Sequence, residues 1–278
     1  MKAIFDNVSL KSSKMVTNAY STSFSLGIRF LDNDLRNSIY AIYGFVRFAD
    51  EIVDSFHEYE RGDLLTRFRK DAFIAIQEKI SLNPILHSFQ LTVNKYDIPH
   101  DLIETFLDSM AMDISQTGHD QESYEKYILG SAEVVGLMCL KVFVNGDNDK
   151  YESLKPSAMK LGAAFQKINF LRDLNADFNG LGRVYFPNIN VNQFSEQTKG
   201  RIEKEIESDF HDGYIGLKQL PKSSRFGVYV AYVYYSRLLK KIKKTPADCV
   251  LEKRIRIPNK RKLVLFLGSY IRHCLNWI

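Results

Sequence analysis

Cysteine is scarce here: Cys139, Cys249 and Cys274 are three residues among 278, and no pair has C-x-x-C spacing. An odd, scattered set excludes a disulfide framework and a thiolate zinc site, and points to a reducing compartment. The six histidines form no ligand pattern, and HEYER at residues 57–61 lacks the second histidine of a metalloprotease box. Long hydrophobic runs are missing as well. No stretch approaches the ~18 apolar residues of a membrane span. The start, MKAIFDNVSLKSSK, has no continuous apolar core of signal-peptide length. The glycines of YILGSAEVVG follow no strand and build no phosphate loop, which argues against a nucleotide fold. No fixed-period repeat or low-complexity linker interrupts the chain, so one domain is expected over residues 1–278.

What is abundant is helical periodicity. With 45% hydrophobic and 13% aromatic residues, the chain can bury a large core. In LRNSIYAIYGFVRFADEIVDSF, Ile39, Ile42, Tyr43, Val46, Ala49 and Val53 recur at three and four, the stripe of a long helix. LLTRFRKDAFIAIQEKI, DLIETFLDSMAMDI, SAMKLGAAFQKINFLRDLNADF and FGVYVAYVYYSRLLKKI repeat the pattern, and period-two alternation is hard to find. Pro84, Pro99, Pro187, Pro221, Pro246 and Pro258 fall where helices should break, and NGLGRVYFPNINVNQ at 179–193 reads as a loop. The expectation is an all-α bundle.

Two acidic patterns interrupt the apolar stripes. RFADEIVD sets Asp50 and Asp54 at i and i+4, on one helix face, with Arg47 three residues before. QKINFLRDLNADF sets Asp173 and Asp177 at the same spacing, with Arg172 adjacent and Asn169 and Gln166 extending the polar stripe backwards. A single D-x-x-x-D is usually a solvated helix face. Two on separate amphipathic helices suggest four carboxylates facing one cavity, a self-repelling arrangement that calls for cations. Hard oxygen donors without His or Cys suit Mg²⁺, with Mn²⁺ as an alternative. Mg²⁺ usually bridges to substrate phosphates, so the expected ligand is a diphosphate, with arginines as further donors and aromatic rings to stabilise a carbocation.

On these motifs the chain resembles the squalene and phytoene synthases, which join two prenyl diphosphates head to head. AIYGFVRFADEIVD is similar to that family's first aspartate-rich signature, and QKINFLRDLNADFNGLGRVYFP to its second, including the flap that carries Arg183. YSTSF at 20–24 is similar to a family segment with serines at the positions of Ser21 and Ser23. YILGSAEVVGLM departs from the usual pattern: Ser131, Ala132 and Glu133 stand where Val-Ala-Gly is common, and Ile128 replaces a common Cys.

The resemblance implies an isoprenoid synthase type helical bundle with a central cavity. It implies Asp50, Asp54, Asp173 and Asp177 as metal ligands and catalytic groups, and Tyr43, Tyr127 and Tyr235 as cavity tyrosines, the first two catalytic and the third substrate-binding. Ser21, Ser23, Arg36, Arg47, Gln166, Asn169, Arg172 and Arg183 would contact substrate, though Ser21 and Ser23 read equally as helix N-caps and Arg36 as a solvated arginine. The implied reaction condenses two geranylgeranyl diphosphates to phytoene through a cyclopropyl diphosphate, in carotenoid biosynthesis and without NADPH. The alternative is squalene or dehydrosqualene synthesis from farnesyl diphosphate. A non-catalytic scaffold on the same fold, or a terpene cyclase, fits the signatures less well.

The net charge of +5 gives no support for nucleic acid, but residues 240–278 carry eleven Lys or Arg against Asp248 and Glu252. This basic tail reads as solvated surface or as attraction to anionic lipid headgroups, and a lipid substrate favours the second. Localisation is accordingly expected to be cytoplasmic, or peripheral on the inner face of the cytoplasmic membrane. The oligomeric state is left open.

Overall fold

The apolar stripes become helices across the chain. The computed structural model describes residues 1–187, 189–252 and 254–258, leaving aside the side chains of residues 22, 23 and 192. The helices are α1 (Lys2–Tyr20), α2 (Thr22–Ile28), α3 (Asn33–Asp54), α4 (Arg61–Glu78), α5 (Pro84–Tyr96), α6 (His100–Ser115) and α7 (Gln121–Ile128). A π-helical turn, Leu129–Glu133, leads into α8 (Val134–Phe143), and α9 (Asn148–Ala176) runs into a second π-helical turn, Asp177–Leu181. After the loop come α10 (Glu196–Leu217), α11 (Lys222–Lys243) and α12 (Ala247–Glu252). The β structure among the described residues is one isolated parallel bridge, Gly118 to Val184.

The helix starts follow the capping chemistry of the sequence. Asn83 accepts the Ile85 and Leu86 amides with Pro84 behind it, and Asp120, Asp147 and Ser195 cap α7, α9 and α10. Pro99 and Pro221 precede α6 and α11. The seventh proline, Pro156, instead lies inside α9, which starts nine residues ahead of the SAMKLG stripe. There it removes one intrahelical donor.

Two apolar clusters form the core. Phe45, Phe89 and Phe106 centre the first, built on α3, α5, α6 and α8. The second surrounds Ile168, Leu171 and Leu238 on α9 and α11. A cavity of about 300 Å³ opens between them, walled by Ile28, Ile39, Val135, Leu161, Phe165 and Leu217. Close helix approach builds the wall opposite α3: a Cβ on Gly162 would stand 2.7 Å from the Ala132 carbonyl oxygen. Ser131 and Ala132 line this cavity, whereas Glu133 does not. Glu133 is half-buried; burial raises its carboxyl pKa, and Lys160 and Lys167 oppose that rise.

Ile255 and Ile257 are buried, so this part of the tail packs on the bundle. Leu263, Leu265, Phe266 and Trp277 lie outside the described residues. Among the described residues no helix is long and apolar enough to cross a membrane.

Candidate active site

The two acidic signatures meet at one end of the cavity. Asp50 and Asp54 occupy the last turn of α3, and Asp173 and Asp177 the junction of α9 with its π-helical turn. The charges of Asp54 and Asp173 both act on Asp177, which places the acids of the two helices in one electrostatic field. Burial, reinforced by that repulsion, pushes the Asp177 carboxyl from 3.8 to about 7. Asp50 rises to about 6, again mainly by burial and then by Asp54.

Arginines hold the other carboxylate edges. Arg47 pairs with Asp50 and with Glu51, and its guanidinium lies 4.2 Å from the Tyr20 ring centroid. Arg172 chelates Asp173 at 2.9 and 2.5 Å, and Arg254 reaches the same carboxylate at 2.7 Å. Arg183, from the loop, is 4% exposed and donates to Asp54 at 2.5 Å, to the Val53 carbonyl at 3.2 Å and to the Asp113 carbonyl at 2.9 Å. The flap is thus tied to α3 by one guanidinium, which spans the Asp54 carboxylate and the Val53 carbonyl.

Beneath Arg183 lies a network centred on Asp113. Its carboxylate accepts from Tyr127 at 2.6 Å and Tyr185 at 3.3 Å, and stands 3.8 Å from Arg183. Burial pushes Asp113 up to about 7 even though Arg183 and the Tyr127 hydroxyl favour its charged form. Tyr185 stacks on Phe170 at 4.1 Å, and His119 stacks on Tyr185.

Gln166, Asn169 and Tyr43 line the polar end of the cavity. Asn169 accepts from the Tyr235 hydroxyl at 3.3 Å, and Tyr235 stacks on Phe165 at 4.3 Å. Burial raises the Tyr43 pKa, while Arg47 and a hydrogen bond with Ser21 act against it. Ser21 also caps α2 by accepting the Phe24 amide at 3.1 Å.

Not every expected residue sits where the resemblance implies. Tyr43 lines the cavity, whereas Tyr127 and Tyr235 are not among its lining residues; they are buried, with their hydroxyls donated to Asp113 and to the cavity-lining Asn169. Arg36 lies in the first turn of α3 and donates to the Leu31 carbonyl at 2.7 Å, ~21 Å from Asp50 at 1.5 Å per residue. The Ser23 side chain lies outside the described residues.

Asp113, Tyr185 and Arg254 were not singled out by sequence reasoning. Asp113 left one signal: an acid in register with Ile103, Phe106 and Met110 on the apolar stripe of α6.

Carboxylate oxygens with no histidine or thiolate among them suit a hard divalent cation. The raised Asp50 and Asp177 carboxyls mark the uncompensated negative charge such an ion would relieve. Among the described residues, no three Asp, Glu, His or Cys side chains are gathered closely enough to hold one ion. Asp50, Asp54 and Asp173 are turned onto arginines instead.

An apolar cavity in an all-α bundle, capped by two aspartate-bearing helices and a ring of arginines, defines a site for a long apolar chain with an anionic head. The comparisons agree. The family model for squalene/phytoene synthases matches residues 17–261, so the chain belongs to that family of prenyltransferases. It is 30% identical over 172 residues to the presqualene diphosphate synthase of Rhodopseudomonas palustris, a match covering 61% of this chain and 59% of that protein. With the phytoene synthase of Mycobacterium tuberculosis it shares 26% over 245 residues, 84% of this chain and 74% of the relative. Among solved structures, a ligand-bound dehydrosqualene synthase superposes with TM-score 0.83 at 19% identity, covering 96% of this chain and 98% of the other.

Proposed function

We propose that this protein condenses two prenyl diphosphates head to head, and that two geranylgeranyl diphosphates giving phytoene are the first choice of substrate and product. The observation that carries the reading is the joining of one apolar cavity to a mouth bearing four aspartates and the arginines Arg47, Arg172 and Arg183.

The prenyl chains would lie along the cavity, with Gln166 and Asn169 at its polar end. Arg47, Arg172 and Arg183 would neutralise the diphosphates by exchanging their carboxylate partners for phosphate oxygens. Asp50, Asp54, Asp173 and Asp177 would hold Mg²⁺, or Mn²⁺, which supplies Lewis-acid neutralisation of the leaving diphosphate. Ionisation leaves an allylic cation beside the π faces of Phe24, Tyr43 and Phe165. The second substrate's double bond would attack that cation, moving the positive charge onto the second substrate, and loss of a proton from that substrate's C1 to the released diphosphate would close the ring of a cyclopropyl diphosphate. A second ionisation would expel the remaining diphosphate, and rearrangement of the resulting cation followed by loss of a proton would yield the 1,1′-linked phytoene, whereas squalene would need a hydride from NADPH at that point. On this reading residues 1–278 are one domain. The basic tail brings the protein to the inner face of the cytoplasmic membrane, where such substrates partition.

Farnesyl diphosphate as substrate, giving squalene or dehydrosqualene, is the second reading, favoured by the fold match to a dehydrosqualene synthase. Purified protein incubated with Mg²⁺ and either the C15 or the C20 diphosphate, with and without NADPH, separates the two by hydrocarbon analysis. Phytoene from the C20 substrate alone is expected. A product that requires NADPH would replace the phytoene reading with squalene, and no hydrocarbon from either substrate would overturn the proposal.

A further inference from the structure

Helix α1 is packed the wrong way round for a water-soluble helix. Its buried residues are Ser9, Ser13 and Thr17. Their small polar side chains let it sit close to its neighbours: Ser13 Oγ is 2.6 Å from Ser88 Oγ on α5, and a Cβ on Gly44 of α3 would stand 2.8 Å from the same Ser13 oxygen. Phe5, Leu10 and Val16 are half-buried beside this seam, with Phe5 on the His87 ring at 4.7 Å, and the opposite face carries the remaining large apolar residues. At the 100° helical step, Ile4, Val8 and Met15 fall within about 40° of one another. They are 69%, 52% and 67% exposed, and Met1 extends the stripe. Exposed apolar side chains aligned along one helix mark a contact surface rather than chance scatter.

Its flanks and its position indicate what covers that face. Lys2, Lys11 and Lys14 against Asp6 give α1 a net charge of +2, and all three lysines are exposed. Lys11 borders the stripe and Lys14 flanks it, while Lys2 lies on the other side of the helix and pairs with Asp6 at 3.1 Å. Lys11 and Lys14 disfavour a second copy of α1 and complement an anionic surface. The helix ends at the mouth of the candidate site: Tyr20 packs on Arg47, the partner of Asp50, and Ser21 bonds Tyr43 in the cavity wall. Exposed aromatic residues, Phe56 and Tyr59, follow Asp54 at that same end of α3.

We infer that the outer face of α1 is an interfacial membrane-docking surface, which lies along an anionic bilayer with Ile4, Val8 and Met15 turned into the acyl boundary and Lys11 and Lys14 among the headgroups. The docking surface stands on the exposed face of α1. Its purpose rests on the proposed function, since a prenyl diphosphate leaving the bilayer would meet the carboxylate mouth at the end of this helix.

The test is vesicle flotation of the full chain without substrate, so that its outcome is independent of turnover. Wild type should float with phosphatidylcholine vesicles containing phosphatidylglycerol. The Ile4→Gln/Val8→Gln/Met15→Gln variant should partition about tenfold more weakly, at unchanged melting temperature, because all three positions face water. Hydrocarbon synthesis in detergent, measured separately, should be the same for both proteins. As a second readout, Val8→Trp in a Trp277→Phe background should be quenched by brominated lipid.

Wild type that does not float, or a triple variant that floats equally well, would overturn the inference. So would quenching of the native Trp277 without quenching at position 8, which would assign the contact to the tail. A concentration-dependent dimer abolished by the triple variant, without flotation of wild type, would assign the face to a second copy.

Discussion

Replacing Asp177 by asparagine should make the protein more stable at alkaline pH while removing its activity. Asp177 is raised from 3.8 to about 7 by burial and by the charges of Asp173 and Asp54, with Arg183 and Arg172 pulling less strongly the other way. At 1.36 kcal/mol per pH unit, the ionised side chain costs the fold up to about 4 kcal/mol. Asp177 is only half-buried, so solvent screens part of the repulsion and about 2 kcal/mol is the expected gain for the variant. For a chain of this size that corresponds to about 4–8 °C in Tm.

The pH dependence follows from the direction of the shift. The folded-state pKa lies above the unfolded one, so the penalty is absent below about pH 4 and grows as pH rises. It is complete above about pH 7. Thermal unfolding of both proteins from pH 4.5 to 8.5, without divalent cations, is the assay. The Tm gap should open with pH and narrow again for wild type, but not for the variant, when Mg²⁺ and inorganic pyrophosphate are added. A gap independent of pH, or a variant less stable than wild type at pH 8, would refute the placement of Asp177 in a shared acidic field.

Asn at Asp50, Asp54 or Asp173 should lower diphosphate release by about 100-fold or more with little change in helicity, read by circular dichroism and a pyrophosphate assay. Full activity in all three would remove the metal assignment. Arg183→Gln should destabilise the fold by about 3–5 kcal/mol in urea unfolding, because it leaves Asp54 and the buried Asp113 without their cation; a loss under 1 kcal/mol would mean that the flap is held by other contacts. Gly162→Ala should cost about 1–3 kcal/mol and narrow the cavity, since its Cβ meets the Ala132 carbonyl at 2.7 Å. A variant that unfolds like wild type would show that the Leu129–Glu133 turn and α9 move apart freely.

The sequence by itself determined the helical class, the long acid-bearing helices α3 and α9 and the middle of the loop expected at 179–193, whose ends are instead a π-helical turn to Leu181 and a 3-10 turn at Val191–Gln193. Each is written in local periodicity or turn composition. The spacing of Asp50 to Asp54 and of Asp173 to Asp177 settles which face each pair occupies, because helical geometry allows one answer. The motifs alone were enough to indicate the family. Helix α1 was not legible, because the 3.6-residue signal assumes that apolar residues face inward, and here Ser9, Ser13 and Thr17 do.

Arg47 with Asp50 and Arg172 with Asp173 are neighbours in sequence, but only the tertiary structure decided the long-range pairings of carboxylates with arginines. Arg183 meets Asp54 across 129 positions, and Arg254 meets Asp173 across 81. Nothing in either segment marks its partner. Asp113 depended on packing in the same way. An acid on an apolar stripe is a solvated exception or a buried hub according to what the neighbouring helices and the flap bring to it, and here they bring Tyr127, Tyr185 and Arg183. The acceptors of the buried Tyr127 and Tyr235 hydroxyls, Asp113 and Asn169, were likewise set by packing, because a buried hydroxyl needs a partner and each partner stands on another helix.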